Sequence, residues 1–281
     1  MEELIIESYG KVNLALDILY KRDDGYHEIN SIMQRINLKD KLTFTEIEKG
    51  VIIESNNPEV PTDSTNLVYK AWEILKDITG IDKGIHVNIE KNIPIAAGLA
   101  GGSSNGAATL QALNQMWNLK LSDIELMEIG KSLGADIPFC IMGGTALAQG
   151  IGEKLKSLNP FSKKHLLLCN PGIKVSTEYA YSKINPNGKR LDIQGLIDCI
   201  ESGDIKCVAE KMANKMEEPI IEEYPIIQNI KDIMLKNGAL GAIMSGSGPT
   251  VFGLFAKEED SIIAGKKLLN ISNRVYKCET I

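Results

Sequence analysis

The sequence predicts an α+β protein in two domains, and three observations predict it. Apolar and polar side chains alternate over long stretches of the first forty-odd residues, which is the period of half-buried strands. After those stretches the apolar spacing changes to three and four residues, the period of an amphipathic helix. Near Asn159 and Pro160 the order of strand and helix restarts, which divides the chain into expected domains of residues 1–159 and 160–281.

Each element follows from its own residues. "LIIESYGKVNLALDIL" and "KLTFTEIE" read as strands, with a turn at "KRDDGYH". Residues 65–78 place Leu67, Ala71, Ile74, Leu75 and Ile78 on one helical face, and "GIHVNIEKNIP" returns to period two through Ile85, Val87 and Ile89. Ala107, Ala108, Leu110, Leu113 and Trp117 mark a helix expected to begin near Ser103 or Ser104. In "LSDIELMEIGKSLG", Ser122 and Glu125 have the spacing of a capping box, and Gly134 suits the residue just past a helix end. "GTALAQGIGEKLKSL" reads as a strand and turn that close the first half. The second half opens with the strand "HLLLCNPG", followed by helical segments that include Ile226, Ile227, Ile230, Ile233 and Met234 on one face and Gly238 as the stop. "GAIMSG" and "TVFGLF" form strands around a tight "SGP", and "DSIIAGKKLL" and "RVYKCETI" supply the last helix and strand.

Composition narrows the class. The 281 residues are 43% hydrophobic and 24% charged, ordinary for a globular protein with an ample core. A net charge of -6 gives no reason to expect nucleic acid as a partner. The acidic start lacks the pattern of a signal peptide and no apolar run approaches a membrane span, so a cytoplasmic protein with no membrane partner is expected. Cys140, Cys169, Cys199, Cys207 and Cys278 stand without a CxxC pair and read as buried reduced thiols.

Three segments are candidate sites, each of which by itself also reads as plain structure: a flexible loop, a turn cap and a hairpin. "PIAAGLAGGSSNGAATLQALNQMW", residues 94–117, sets glycines between a strand and a helix. Glycines let backbone N–H groups approach a ligand closely, and the first turn of a helix offers unpaired donors and a positive dipole end, so a phosphate chain is the natural guest. The serines that follow can cap the helix, reach a phosphate or reach its magnesium. The segment is neither a Walker A loop nor GxGxxG. Residues 102–106 also match GxSxG, with Asp136 and His165 following in order, but a nucleophile elbow needs its serine directly after a strand and its histidine on a loop. In "SLGADIPFC", Pro138 is expected to hold Ile137 extended and leave Asp136 on a kinked connection, with Lys11 of "YGKVNLAL" as a cation that can pair with it. "MSGSGPTVF" is a small-residue turn between strands.

Together, and in this order and spacing, these segments resemble the signature motifs of the GHMP kinase superfamily, named for galactokinase, homoserine kinase, mevalonate kinase and phosphomevalonate kinase. "KVNLALDILYKRDDGYHEINSIMQ", "LGADIPFC" followed by "GGTALAQGIGEKL", and "NPGIKVST" resemble the branch that acts on cytidine-diphospho-methylerythritol, of the non-mevalonate isoprenoid route. The resemblance implies a two-domain fold, the N-terminal one ribosomal protein S5 domain 2-like and the C-terminal one a ferredoxin-like α/β sandwich, with the active site in the cleft between them. It implies ATP and Mg2+ as cofactors, a small-molecule substrate, and Asp136 as acceptor of the proton of the 2-hydroxyl. Lys11 lies beside it in the family pattern, where it offsets charge growing on the phosphoryl group.

For ATP the resemblance implies Pro94, Gly98, Leu99, Gly101, Gly102, Ser103 and Ser104 around the phosphates, with Asn66 and Lys91 on the adenine side. For the substrate it implies Asn13 at the methylerythritol part, Tyr26 and His27 at the cytosine ring, Tyr181 closing that sandwich with Tyr179 as the alternative, and Thr177, Gly246 and Gly248. No metal ligand can be assigned. The chain departs from many relatives at Ala96, Ala97 and Ala100, since alanine resists positive φ where they carry glycine. Another small-molecule kinase of the superfamily, or a silent ATP- or sugar-binding regulator, stands as the alternative, and the oligomeric state is open between monomer and weak homodimer. The presence of both Lys11 and Asp136 favours an enzyme, because a binder needs no proton acceptor.

Overall fold

The computed structural model describes residues 3–184, 186 and 189–281. In chain order the elements are β1 (Glu3–Lys21), β2 (His27–Ile47), β3 (Val51–Ser55), α1 (Leu67–Thr79), β4 (Gly84–Glu90), α2 (Gly101–Met116), α3 (Asp123–Lys131) and α4 (Ile137–Met142). They continue as β5 (Thr145–Gly150), β6 (Lys154–Ser157), β7 (His165–Cys169), α5 (Thr177–Ser182), α6 (Ile193–Ser202), α7 (Ile205–Lys211), β8 (Ala213–Asn214), α8 (Glu217–Glu223), α9 (Ile226–Lys236), β9 (Ala239–Met244), β10 (Val251–Phe255), α10 (Glu258–Leu268) and β11 (Val275–Glu279). The mixture of helix and strand is the expected one. The chain forms two compact units, each drawn from several stretches of sequence.

The first unit holds the chain up to Gly10, Leu38–Ile95 and Ala100–Gly143. Its sheet pairs the end of β2 antiparallel to β4, from Lys41 opposite Glu90 to Ile47 opposite Gly84, and β3 parallel to β4. Leu42, Phe44, Val87 and Ile89 bury one sheet face against Val68, Ala71, Leu75, Leu110 and Leu113 of α1 and α2. This is the apolar alternation of the strands meeting the apolar stripe of the helices. Asn66 starts α1 by accepting a hydrogen bond from the Val68 N–H at 2.9 Å, and Ser122 and Glu125 form the expected capping box on α3.

The second unit holds Lys11–Asn37, Ala96–Leu99 and Gly144–Ile281. Here β2 pairs with β5, β5 with β6, and Ala15 and Leu16 of β1 with β8. A separate four-stranded sheet in the order β11-β7-β10-β9 is antiparallel throughout, as the second-half pattern predicts. Ile227, Ile230 and Met234 of α9 and Ala264 and Leu268 of α10 are buried in this unit's core with Leu167, Met244 and Phe255.

Four expectations are corrected. The helix after the glycines begins at Gly101, not at the serines, because Gly101 and Gly102 occupy its first turn. Gly134 does not take the left-handed position at the end of α3. That helix closes at Ser132, and the Gly134 N–H instead bonds the Gly130 carbonyl at 3.1 Å. Ile137 is not extended: it is the first residue of α4, with Pro138 in the first turn, where the missing N–H breaks no helical bond. Cys199 and Cys207 are joined as a disulfide, their Cα atoms 5.5 Å apart, because two short helices separated by one turn bring them together, while Cys140, Cys169 and Cys278 are buried free thiols. Burial pushes the Cys169 thiol up to about 12. Among the described residues no helix is long and apolar enough to cross a membrane.

Candidate active site

In the second unit three segments meet. Lys11 stands mid-strand on β1, only 5% exposed, so it is no solvated edge charge. Its ammonium donates to Asn13 Oδ1 at 2.8 Å, Asn13 Nδ2 donates to Ser31 Oγ at 2.8 Å, and the Ser31 hydroxyl donates to the Ala15 carbonyl at 2.6 Å. Alternation on β1 puts Lys11 and Asn13 on one face. The Lys11 N–H bonds the Leu99 carbonyl at 3.1 Å, which ties the end of the glycine-rich loop to this strand, while the Leu99 side chain is buried.

The turn after β9 lies against the same loop. Ser245 Oγ donates to the Gly98 carbonyl at 2.9 Å. Gly98 has φ +72°, and a Cβ there would stand 2.1 Å from the Ser245 carbonyl oxygen, so only glycine fits. A Cβ on Gly246 would come within 3.4 Å of Asn13 Oδ1, and one on Gly248 within 2.4 Å of Met244 Sδ. Asn214, which the sequence reading did not single out, clamps this turn: its Nδ2 donates to the Met244 and Gly246 carbonyls, each at 2.8 Å. Nothing in the pattern around it marked Asn214. Thr177 reaches the turn through a hydroxyl contact of 3.1 Å with Ser247.

Also in this unit, His27 and Tyr181 stack with ring centroids 4.9 Å apart and planes within 18°. Burial holds the His27 imidazole below its ordinary pKa, with Lys21 adding to the effect. Tyr26 is 59% exposed, and the Tyr179 hydroxyl bonds Glu223, so the tyrosine paired with His27 is Tyr181.

The first unit carries Asp136, Asn66, Lys91, Pro94 and the start of α2. Asp136 occupies the N-cap position of α4 with helical backbone angles and makes no side-chain cap, while its carbonyl accepts from the Cys140 N–H at 3.0 Å. Asn66 is committed to α1, and its Nδ2 donates to the Pro61 carbonyl at 2.6 Å. Pro94 is half-buried at the entry to the loop. Ala100, at φ +56°, precedes α2 without a side-chain cap, so the first-turn N–H groups of Gly101, Gly102 and Ser103 have no intrahelical acceptor. A Cβ on Gly102 would meet nothing within 4 Å. Ser104 is turned inward: its N–H bonds the Ala100 carbonyl and its hydroxyl donates to the Tyr9 carbonyl at 2.6 Å. The open hydroxyl position of the pair is therefore Ser103, which is half-buried.

Asp40 is the other residue the sequence reading missed. It is fully buried on β2 and accepts from Lys91 Nζ, Asn105 Nδ2 and the N–H groups of Asn92 and Ile93. Burial pushes the Lys91 ammonium below the usual lysine range although Asp40 opposes it. Its signal was the acidic residue at an inward position of an alternating strand, which only its burial makes unusual.

Comparison with known proteins shows the family. Residues 66–144 match the GHMP kinases N terminal domain and residues 196–271 match the GHMP kinases C terminal domain. A relative from Clostridioides difficile (strain 630) named 4-diphosphocytidyl-2-C-methyl-D-erythritol kinase is 48% identical, covering 98% of this chain and 95% of the relative. The crystal structure of a 4-(cytidine 5'-diphospho)-2C-methyl-D-erythritol kinase superimposes with a TM-score of 0.85 at 29% identity, over 99% of each chain. Homoserine kinase from Cytophaga hutchinsonii shares the fold alone, with a TM-score of 0.79 at 20% identity over 100% of this chain and 95% of that one. With the glycine-rich loop, the buried lysine of β1 and the clamped turn after β9 all present, and with likeness running over the whole length, the chain belongs to the GHMP kinase family.

Proposed function

We propose that the protein transfers the γ-phosphoryl group of ATP to the 2-hydroxyl of 4-diphosphocytidyl-2-C-methyl-D-erythritol, giving the 2-phosphate and ADP in the non-mevalonate route to isoprenoid precursors. The observation that carries the substrate is the full-length likeness to the Clostridioides difficile kinase, at 48% identity. The His27–Tyr181 stack gives that substrate chemistry: a flat aromatic surface for the cytosine ring, with an imidazole to bond its edge.

In the mechanism we infer, the orphan N–H groups of Gly101, Gly102 and Ser103 and the positive end of α2 bind the phosphate chain. Ser104 holds that turn in place from inside. Asp136 accepts the proton of the attacking hydroxyl, and Lys11, oriented by Asn13, offsets the charge on the transferring group. Asn66 and Lys91 border the adenine, and Thr177, Gly246 and Gly248 border the substrate. Magnesium, when bound, neutralises charge on the phosphates. Among the described residues there is no group of three or more His, Cys, Asp and Glu side chains that could hold a metal ion. Residues 1–159 and 160–281 are the proposed domains, since the two family matches end at 144 and begin at 196. A cytoplasmic location is part of this proposal, in keeping with a small-molecule substrate.

The test is ADP release with ATP and magnesium against 4-diphosphocytidyl-2-C-methyl-D-erythritol, the same compound without its cytidylyl group, homoserine, mevalonate and galactose. Turnover with the first alone is expected. Turnover with another compound instead overturns the substrate, and silence with all five overturns the enzyme.

A further inference from the structure

We propose that Asp40 is a positioning residue for nucleotide binding, holding the first turn of α2 in the arrangement that receives the phosphate chain. This rests on the reading of that turn as the ATP site. A buried carboxylate is costly unless donors surround it. Asp40 is 0% exposed and its two oxygens share four: Lys91 Nζ and Asn105 Nδ2 on Oδ2, and the Asn92 and Ile93 N–H groups, at 2.7 and 2.8 Å, on Oδ1. The donors come from two places, the segment 91–93 that leads into the glycine-rich loop and the second turn of α2. One carboxylate thus fixes the approach to the loop and the helix that leaves it.

Two further features aim this network at the turn itself. A Cβ on Gly101 would lie 2.8 Å from Lys91 Nζ, so the ammonium that Asp40 holds packs directly against the first residue of α2. Asn105 Nδ2 also donates to Ser8 Oγ at 2.9 Å, Ser8 Oγ donates to Ser104 Oγ at 2.8 Å, and Ser104 Oγ donates to the Tyr9 carbonyl. Every hydroxyl in that chain gives one proton and accepts one, so its direction is fixed. Removing the Asp40 charge leaves Lys91 buried without a counter-charge and weakens the hold on Asn105, and both changes converge on Gly101 to Ser104.

The experiment compares the full-length wild type with Asp40→Asn and, in case that variant does not fold, Asn105→Ala, each assayed well below its own unfolding temperature. ADP affinity is measured by calorimetry and KM is measured separately for ATP and for the alcohol substrate. The expected result is a weakening of ADP binding and a rise in KM for ATP of about tenfold or more, with KM for the alcohol within twofold. A folded variant with ADP affinity and KM for ATP within twofold of wild type overturns the proposal and leaves Asp40 as a support of the fold alone. A wild type that does not bind ADP overturns instead the nucleotide reading of α2, and this inference with it.

Discussion

Ala96 and Ala100 adopt φ values of +50° and +56°, the left-handed region that the sequence reading expected alanine to resist. An L residue there costs roughly 1–2 kcal/mol, so the surrounding packing imposes a backbone that the residue does not favour. The glycines of the same segment are not equivalent. Gly98→Ala adds that backbone cost to a collision with the Ser245 carbonyl, and a loss of about 2 kcal/mol or more in unfolding free energy is expected by denaturant titration. Gly102→Ala meets open space and improves helix propensity by up to ~1 kcal/mol, so its stability should hold or rise. If the Gly102 N–H approaches a phosphate, the added methyl raises KM for ATP several-fold, and an unchanged KM removes Gly102 from the phosphate contacts. Asp136→Asn should keep ADP binding while kcat falls by about two to four powers of ten, the range for losing a general base. A kcat within tenfold of wild type would remove Asp136 from proton transfer.

At the scale of elements, the capping box of α3 was legible because it is a local exchange of hydrogen bonds between residues three apart, whereas the helix stop expected at Gly134 was not. Ser122 and Glu125 satisfy each other's orphan groups as their spacing predicts. Ser122→Ala should lower stability by about 1 kcal/mol, with kcat and both KM values unchanged. Asn66 is less separable: it caps α1, so Asn66→Ala weakens that helix before any contact with adenine is tested. The start of α4 was misread because the rule that a residue before proline avoids helix is statistical, and burial of Ile137, Pro138 and Phe139 outweighs it here. The Cys199–Cys207 pairing was illegible for a different reason. Nothing in the spacing says that α6 and α7 fold back on one another within eight residues.

At the scale of the whole molecule, a ligand that binds only the folded chain raises its stability by mass action. ADP at about a hundred times its Kd should add ~2.7 kcal/mol, seen as a rise of several degrees in Tm, and Asp136→Asn should retain that rise. No shift at millimolar ADP would count against nucleotide binding. The fold is shared with homoserine kinase at 20% identity, so architecture does not select the substrate. In the proposed reading, selection falls to side chains such as His27 and Tyr181, whose rings stack. The sequence by itself determined the strands and helices with clear periodicity, because those signals lie within short stretches of chain, and Lys11 and Asp136 became candidates only through the order of the three motifs and the resemblance they carry. The tertiary structure decided the rest. It chose Tyr181 over Tyr179 as the partner of His27, turned Ser104 inward, and recruited Asp40 and Asn214. Each of these depends on which distant residues share one buried space, and burial is a property of the packed chain that no local pattern carries.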